Sequence, residues 1–528
     1  MDRVEWRAFL ELWSAEWIAA HDPERQDPLD PAVVREGWLG FAPASEAAIT
    51  AAEARLGHRL PPSLREFLLV TDGWRDAGAS IYRLAGPAGL DWLRDTPDRG
   101  WITAREQAAD GTAAGLLGGL LDGVADGVLD EVVDGVLDGM VEGAADGTSL
   151  GTTDGTTGGT TDGTTDGGSA VEARMLARSL RVSLSGDAAV VVLDPQDVAP
   201  DGEWAAHWLA SWSGSGPERF GSFGELMRAQ WRTFHAVRRP PGPTRDHWDR
   251  EVERGRRAAL AGHVDPALRL FEQADAFGRP RAGLLRLQLD LLLGDWRHRV
   301  PGPFWNIRDW DVLLAGPLFA RELLPLLARH DREARPGALR PLPRIAQCAP
   351  PPVRELIARH TVRSAEPGFR LCFGPPAFDA AVHAVVDRLA AYRDGQHHPS
   401  PPSAGRSVLS VPPPGEPLPP GARCALRDRP AAPPVRHLQA APAPRPASHP
   451  VSHPVPLRAD PGFPDALAEA AWAELLTALP LWRPVDHNHL APVSLLAEPL
   501  LDELLTRARG RALLSVPRAA APDRPGPR

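Results

Sequence analysis

Apolar residues near the start of the chain recur at spacings of three and four, a pattern that predicts an amphipathic helix over residues 5–20. Five large side chains lie on its apolar face: Trp6, Phe9, Leu10, Trp13 and Trp17. Such a face must be covered either by the rest of its own domain or by a partner protein.

Two shorter helices follow. Ser45 is a good N-cap for an alanine-rich helical run, and Gly57 is suited to the left-handed position that ends it. The next helix is expected to begin at Pro61 or Pro62, where the missing N–H costs no helix hydrogen bond.

Short apolar, β-prone runs bounded by turn residues then predict strands within 80–84 and 180–193, and a helix over 223–237 closes the region. The order α-α-β-β-α favours an α+β fold in which helices pack on one mainly antiparallel sheet. We assign residues 1–108 and 170–240 to this domain.

A segment of unusual composition, residues 109–169, interrupts the domain. Most of its acidic residues are spaced by multiples of four positions and are followed by Gly. A helix there would stack like charges and contain many glycines, so we expect a disordered, solvated insert. Glycine–aspartate repeats that bind calcium are the alternative, but their period is nine residues.

Residues 241–393 predict a second, irregular α-helical domain. Within it, residues 255–280 resemble one tetratricopeptide-type helical hairpin, with small residues that allow close packing and Phe271 filling the core. Residues 394–460 are rich in Pro and Ala and predict a semi-extended linker. Residues 461–528 predict a last helical segment.

Charge argues against nucleic-acid binding. The chain has a net charge of -10, but residues 109–170 contain 12 acidic and no basic groups, so the remainder is nearly balanced. A nucleic-acid surface needs basic residues concentrated on one face. Every one of the 58 basic residues is Arg, a bias typical of a GC-rich, actinobacterial genome.

The cysteine content and the apolar segments of the chain indicate its cellular location. Three widely spaced cysteines cannot form a disulfide framework and fit the reducing cytoplasm. The first residues lack a secretory pattern, and no apolar run is long enough to span a membrane. We therefore expect a cytoplasmic protein with no membrane association.

Catalytic signatures are missing from the sequence. It has no phosphate-binding loop, no nucleophile elbow, and neither a His-Glu-x-x-His nor a Cys-x-x-Cys motif. The group Asp486, His487 and His489 is the best metal-like cluster, although such pairs more often mark a surface turn. We expect no cofactor, no metal and no enzymatic activity; an enzyme with a dispersed site is a third alternative.

Several short motif segments follow one another along the first domain: residues 53–57, 60–63, Phe67, 72–74, 202–204 and 222–223. In this order they resemble the SUKH superfamily, which includes fungal cell-wall regulators and bacterial immunity proteins. The resemblance covers residues 30–238 without the insert.

The resemblance implies a set of candidate interaction or family-motif residues: Trp38, Glu53, Trp74, Glu203 and Trp204. Each is either an interface anchor or a structural residue of the domain. Four further motif residues meet backbone requirements and are expected to be structural: Gly57, Pro61, Gly73 and Gly202.

The function that the resemblance implies is recognition of a protein partner, with neutralisation of a polymorphic toxin as the leading hypothesis. Typical single-domain immunity proteins are far shorter than 528 residues. The alternative is therefore a multi-partner regulatory scaffold, in which the two domains bind separate partners.

Overall fold

The computed structural model describes residues 1–24, 28–109, 166–213, 216–294, 313–314, 316–335, 340–397 and 463–519. An α+β domain comes first and is followed by a helical body. Most of the segments predicted to be disordered, 110–165 of the insert and 398–460 of the linker, lie outside the described residues.

Four helices precede the first strand, and their ends follow local rules. The side chain of Ser45 accepts a hydrogen bond from the amide of Ala48 at 3.1 Å, and Gly57 ends that helix at φ +72°, both as predicted. Pro62 begins the next helix. The four are α1 (Arg3–Ala19), α2 (Pro31–Glu36), α3 (Glu46–Leu56) and α4 (Pro62–Leu68).

The strands form two antiparallel sheets in the part of the chain that the structure describes, so the prediction of a single sheet is wrong. A three-stranded sheet has the order β1-β2-β5, and a five-stranded sheet has the order β3-β4-β6-β7-β8. The strands are β1 (Trp74–Arg75), β2 (Ile81–Leu84), β3 (Asp91–Trp92), β4 (Leu180–Arg181), β5 (Ser183–Gly186), β6 (Ala189–Val198), β7 (Trp204–Ala210) and β8 (Glu218–Phe220).

Ser183 accounts for the separation of the sheets. Its hydroxyl accepts a hydrogen bond from the amide of Val191 at 3.0 Å, in place of a backbone carbonyl. The ladder between β4 and β6 ends there, and β5 pairs with β2 instead, placing Ser183 opposite Leu84. A side-chain acceptor has thus diverted one strand into a second sheet.

Helices cover both faces of the five-stranded sheet, because β6 is apolar at successive positions. Val191 and Leu193 join the main core, whereas Val190 and Val192 face the opposite side. That side is covered by α5 (Gly100–Ala109) and α6 (Asp166–Arg178), which are linked by an ion pair of Arg105 and Glu172 at 3.2 Å. The insert therefore leaves and re-enters the domain through two paired helices, and α6 begins within its predicted range.

The helix that closes the domain and the following hairpin match expectation closely. The closing helix is α7 (Phe223–Arg238). In the hairpin, Phe271 is fully buried and a Cβ at Gly255 would lie 2.8 Å from its ring, so the glycine admits the phenylalanine. The hairpin consists of α8 (Pro243–Leu260) and α9 (Val264–Ala276), and α10 (Pro280–Leu293) follows.

The rest of the helical body combines both sides of the 398–462 gap. A π-helical turn, Phe319–Leu323, leads into its helices. Before the gap lie α11 (Leu324–Glu333), α12 (Pro341–Cys348), α13 (Pro351–Ser364) and α14 (Pro376–His397), and after it lie α15 (Asp465–Ala478), α16 (Pro499–Leu504) and α17 (Arg507–Ser515).

A single apolar core runs from Val252 to Leu514, so the C-terminal residues are part of the helical body. Arg518 fixes the end of this segment. Its guanidinium donates to the carbonyl oxygens of Ala259 at 2.7 Å and Leu490 at 3.0 Å, and burial lowers its pKa to about 10.

A buried carboxylate joins the two parts of the molecule. Glu16 on α1 contacts the Nε2 atom of His235 on α7 at 2.8 Å and accepts the amide of Thr244 on α8 at 3.0 Å. All three side chains are buried. Because a buried carboxylate needs such partners, this contact fixes where the helical body begins relative to the first domain.

Among the described helices, none combines the length and the apolar character needed to cross a membrane.

Gly510→Ala should destabilise the helical body. A Cβ there would collide with the carbonyl oxygen of Leu292, which is backbone and cannot turn aside. We expect a loss of about 1–3 kcal/mol in the free energy of unfolding. Gly395→Ala is the matched control, because a Cβ there meets open space and alanine favours a helix. Equal urea midpoints for the two variants would contradict the close packing of α17 on α10.

Candidate functional site

Glu203 forms the N-terminal cap of α4. Its Oε1 atom accepts the amide of Ser63 at 2.8 Å, and its Oε2 atom accepts the hydroxyl of Ser63 at 2.6 Å. Pro61, at the N-cap position, has no side chain able to cap the helix. Glu203, 140 residues away in sequence, supplies the missing acceptor, and a negative charge at a helix N-terminus is favourable.

Glu53 supports the turn that leads to the same helix. Its Oε1 atom accepts the amide of Leu60 at 3.1 Å and lies 3.5 Å from the Nε atom of Arg65. Arg65 also pairs with Glu46. The two motif glutamates thus hold the beginning of α4 from its two sides.

Trp38 and Trp74 lie inside the first domain. Their rings meet edge to face at 5.2 Å, and Trp74 is fully buried. Trp38 is covered on its other side by the guanidinium of Arg7, 4.3 Å from the ring centre. In this conformation both tryptophans anchor α1 and β1, and neither presents a ring to a partner.

Trp204 is also largely buried, with 6% of its surface exposed, and its ring lies 5.9 Å from that of His58. The motif glycines occupy left-handed backbone positions, with φ of +93° at Gly73 and +84° at Gly202. A Cβ at Gly73 would also lie 2.7 Å from the carbonyl oxygen of Leu84. These residues shape the strand ends and turns around the sheets.

The metal-like cluster does not converge. His489 is buried, with its Nε2 atom 3.1 Å from Glu322 and its Nδ1 atom accepting the amide of Val485 at 3.1 Å. Asp486 turns back to accept the amide of Asn488 at 2.8 Å. The described ranges contain no group of three residues able to hold a metal ion.

Exposed side chains on the three-stranded sheet form a surface that sequence reasoning did not select. Tyr82 is 51% exposed on β2, and Leu184 is 36% exposed on the adjacent β5. Nearby, the ring of Phe41 lies between two guanidinium groups, 3.9 Å from Arg75 and 4.7 Å from Arg83. The sequence of β2 could have indicated this surface. Successive side chains of a strand point to opposite faces of the sheet, so Tyr82 points away from the face on which Ile81 is buried.

Asp76 stands at the edge of this surface, in the loop between β1 and β2. Its backbone is left-handed, at φ +52°, and its amide donates to the carbonyl of Tyr82 at 2.9 Å. Burial raises the pKa of Asp76 to about 6, and the charges of Arg238 and Arg75 oppose the rise. A strained, half-buried carboxylate reduces stability, a cost typical of functional positions.

We call these three residues, the half-buried Asp76 and the exposed Tyr82 and Leu184, the sheet surface. It combines a large amphipathic ring, an aliphatic side chain and one carboxylate. Of the motif residues, Trp74 belongs to the same sheet, on β1, whereas Trp204 belongs to β7 of the five-stranded sheet.

Comparison with known proteins bears on the N-terminal part of the chain. Residues 43–114 match the family described as SMI1 / KNR4 family (SUKH-1). The matched range includes Glu53 and Trp74, whereas Trp38, Glu203 and Trp204 lie outside it. No curated protein and no solved structure matches the chain.

Glu203→Ala should destabilise the first domain by about 1–3 kcal/mol, because α4 loses its cap and the Ser63 amide loses a charged partner. Glu203→Gln keeps one acceptor oxygen and should lose less. Glu106→Ala, at an exposed position on α5, is the control. Chemical denaturation monitored by tryptophan fluorescence measures all three, and a Glu203→Ala midpoint equal to that of the control would refute the capping role.

Asp76→Asn should stabilise the protein at neutral pH and not at pH 4. The folded-state pKa is about 6, against an ordinary 3.8, so the stability linked to this carboxyl is present at low pH and lost as pH rises through 6. Asparagine removes the charge and tolerates a left-handed backbone. The gain at pH 7.5 should be on the order of 2–3 kcal/mol.

Unfolding of the Asp76→Asn variant should therefore be measured at pH 4 and at pH 7.5. Asp394→Asn, at an exposed position on α14, is the matched control. A gain of the same size at both pH values would show that the titration of Asp76 is not its cause.

Proposed function

Because residues 43–114 place a SUKH superfamily domain in this chain, we propose that the protein is a non-enzymatic binding protein that recognises a protein partner. SUKH domains are protein-interaction modules. The family match is the observation that carries the proposal. Two features of the structure support it. The motif residues make contacts within the fold, and the separate sheet surface carries the exposed side chains of Tyr82 and Leu184.

The partner that fits the proposal best is a polymorphic toxin, which the protein neutralises as an immunity protein. Neutralisation requires only that one surface cover another, without chemistry. Tyr82 offers a rigid ring with a polar end, the kind of side chain that contributes most to binding when it is enclosed in an interface. Leu184 adds apolar area, and Asp76 adds charge that a basic partner would compensate.

A multi-partner regulatory scaffold is the second candidate, and one observation favours it. The helical body has its own apolar core, from Val252 to Leu514, and is joined to the first domain through the buried Glu16 contact. The first domain has a separate apolar core, so the core of the helical body is not needed to complete it. In this alternative the helical body binds a partner of its own.

Tyr82→Ala should abolish partner capture through the first domain. The full chain is used as bait in cytosol from the native organism, and a captured toxin module is then tested for neutralisation by co-expression. We expect Tyr82→Ala to weaken binding at least tenfold, the scale of an enclosed aromatic anchor, and to lose neutralisation.

Trp212→Ala is the control for this experiment, because Trp212 is also an exposed aromatic residue, 46% exposed, but follows β7 of the other sheet. Retained capture and neutralisation by Tyr82→Ala would contradict the sheet surface as the contact. A captured partner without toxic activity would favour the scaffold over the immunity role.

A further inference from the structure

A second candidate binding surface lies where the first domain meets the helical body. It is an open groove with a volume of about 370 Å³. Its lining consists of Phe220, Glu225, Arg228, Trp231, Arg232 and Phe277. Phe220 ends β8, the next four residues belong to α7, and Phe277 follows α9, so both parts of the molecule contribute walls.

Aromatic rings form the base of the groove and are held rigidly. Trp231 meets Phe277 edge to face at 5.4 Å, and Phe277 stacks on Trp248 at 4.8 Å. Behind Trp231, Phe9 of α1 packs at 5.4 Å. Because each ring is supported by another, the groove is formed before any ligand arrives, which lowers the entropic cost of binding.

Two guanidinium groups stand on the rim. Arg228 and Arg232 are exposed and one helical turn apart on α7, and neither has a carboxylate within ion-pair distance among the residues that the structure describes. Like charges at this spacing repel each other, so an anion between them would remove an unfavourable interaction.

Two acidic groups lie near the arginines and offset part of this charge. Glu225 is engaged at the start of α7, where it accepts the amide of Gly221 at 2.8 Å. Glu218 is half-buried, and burial raises its pKa while Arg232 opposes the rise. The groove therefore carries two arginines and one glutamate, an excess of positive charge beside its aromatic lining.

We propose that this groove binds an acidic peptide segment of a partner protein, in which a carboxylate stands next to an aromatic or aliphatic side chain. The carboxylates pair with the forked guanidinium groups of Arg228 and Arg232, and the apolar side chain lies on Trp231 and Phe277. The volume falls within the range of ordinary ligand sites and suits one or two side chains.

This site is separate from the sheet surface and does not depend on the identity of the partner bound there. It requires both domains, because Phe277 belongs to the helical body. A partner bound in the groove would hold the two domains together in the arrangement that Glu16 already fixes.

The test uses the full chain and a panel of fluorescent 12-residue peptides in which Asp or Glu alternates with Phe or Leu. Fluorescence anisotropy should show saturable binding by at least one member, weakened by added salt. Arg228→Glu combined with Arg232→Glu should raise its Kd at least tenfold. The matched control is Arg359→Glu combined with Arg363→Glu, the same charge change at the same spacing on exposed positions of α13.

The proposal would be overturned by equal Kd values for the groove and control variants, by equal binding of peptides in which Asn and Gln replace the acids, or by no binding by any member of the panel. Competition by inorganic phosphate as strong as that by the peptide would also overturn it, because it would indicate a simple anion site. Tyr82→Ala should leave peptide binding unchanged, so this outcome is independent of the proposed function.

Discussion

The first domain depends on contact between two chain segments that the insert separates. Glu203, from the second segment, holds the amide and hydroxyl of Ser63 in the first, and caps a helix whose own N-cap is a proline. Strand pairing makes the same connection, since β5 pairs with β2 and β4 with β3. The domain is therefore complete only when both segments are in place, whatever lies between α5 and α6.

Because of this constraint, the motif residues have structural roles that differ from those of the exposed side chains. The residues that carry the family resemblance make contacts within the fold: two partly buried glutamates at the start of α4, tryptophans in the core and glycines at turns. In the proposed function, recognition falls to exposed side chains outside this set, above all Tyr82 on the three-stranded sheet. The buried Glu16 contact extends the same principle to the second body, whose position relative to the first creates the groove at Trp231 and Phe277.

Local rules predicted much of the fold. The ends of α3 and α4 followed from Ser45, Gly57 and Pro62, and the hairpin of α8 and α9 followed from small residues facing Phe271. The division into two sheets was not predictable, because it depends on where the hydroxyl of Ser183 finds a donor. Helix α6 was missed because its first residues continue the Asp-Gly pattern of the insert.

The candidate site was harder to predict than the fold. Hydrophobicity indicates that a tryptophan will be buried but not whether its own domain or a partner buries it, so Trp38 and Trp74 stayed ambiguous in sequence. A glutamate in a turn gives no sign that its partner is 140 residues away. Asp76 carries no sequence signal, because its raised pKa arises from folding around it.

Hydrogen–deuterium exchange of the full chain, alone and with its captured protein partner, tests the central claim most directly. If the SUKH-type domain recognises the partner through the sheet surface, amides of residues 76–84 and 183–187 should become protected, while those of α13 and α14 should not change. Protection confined to the helical body, with no change across residues 76–84, would contradict the account.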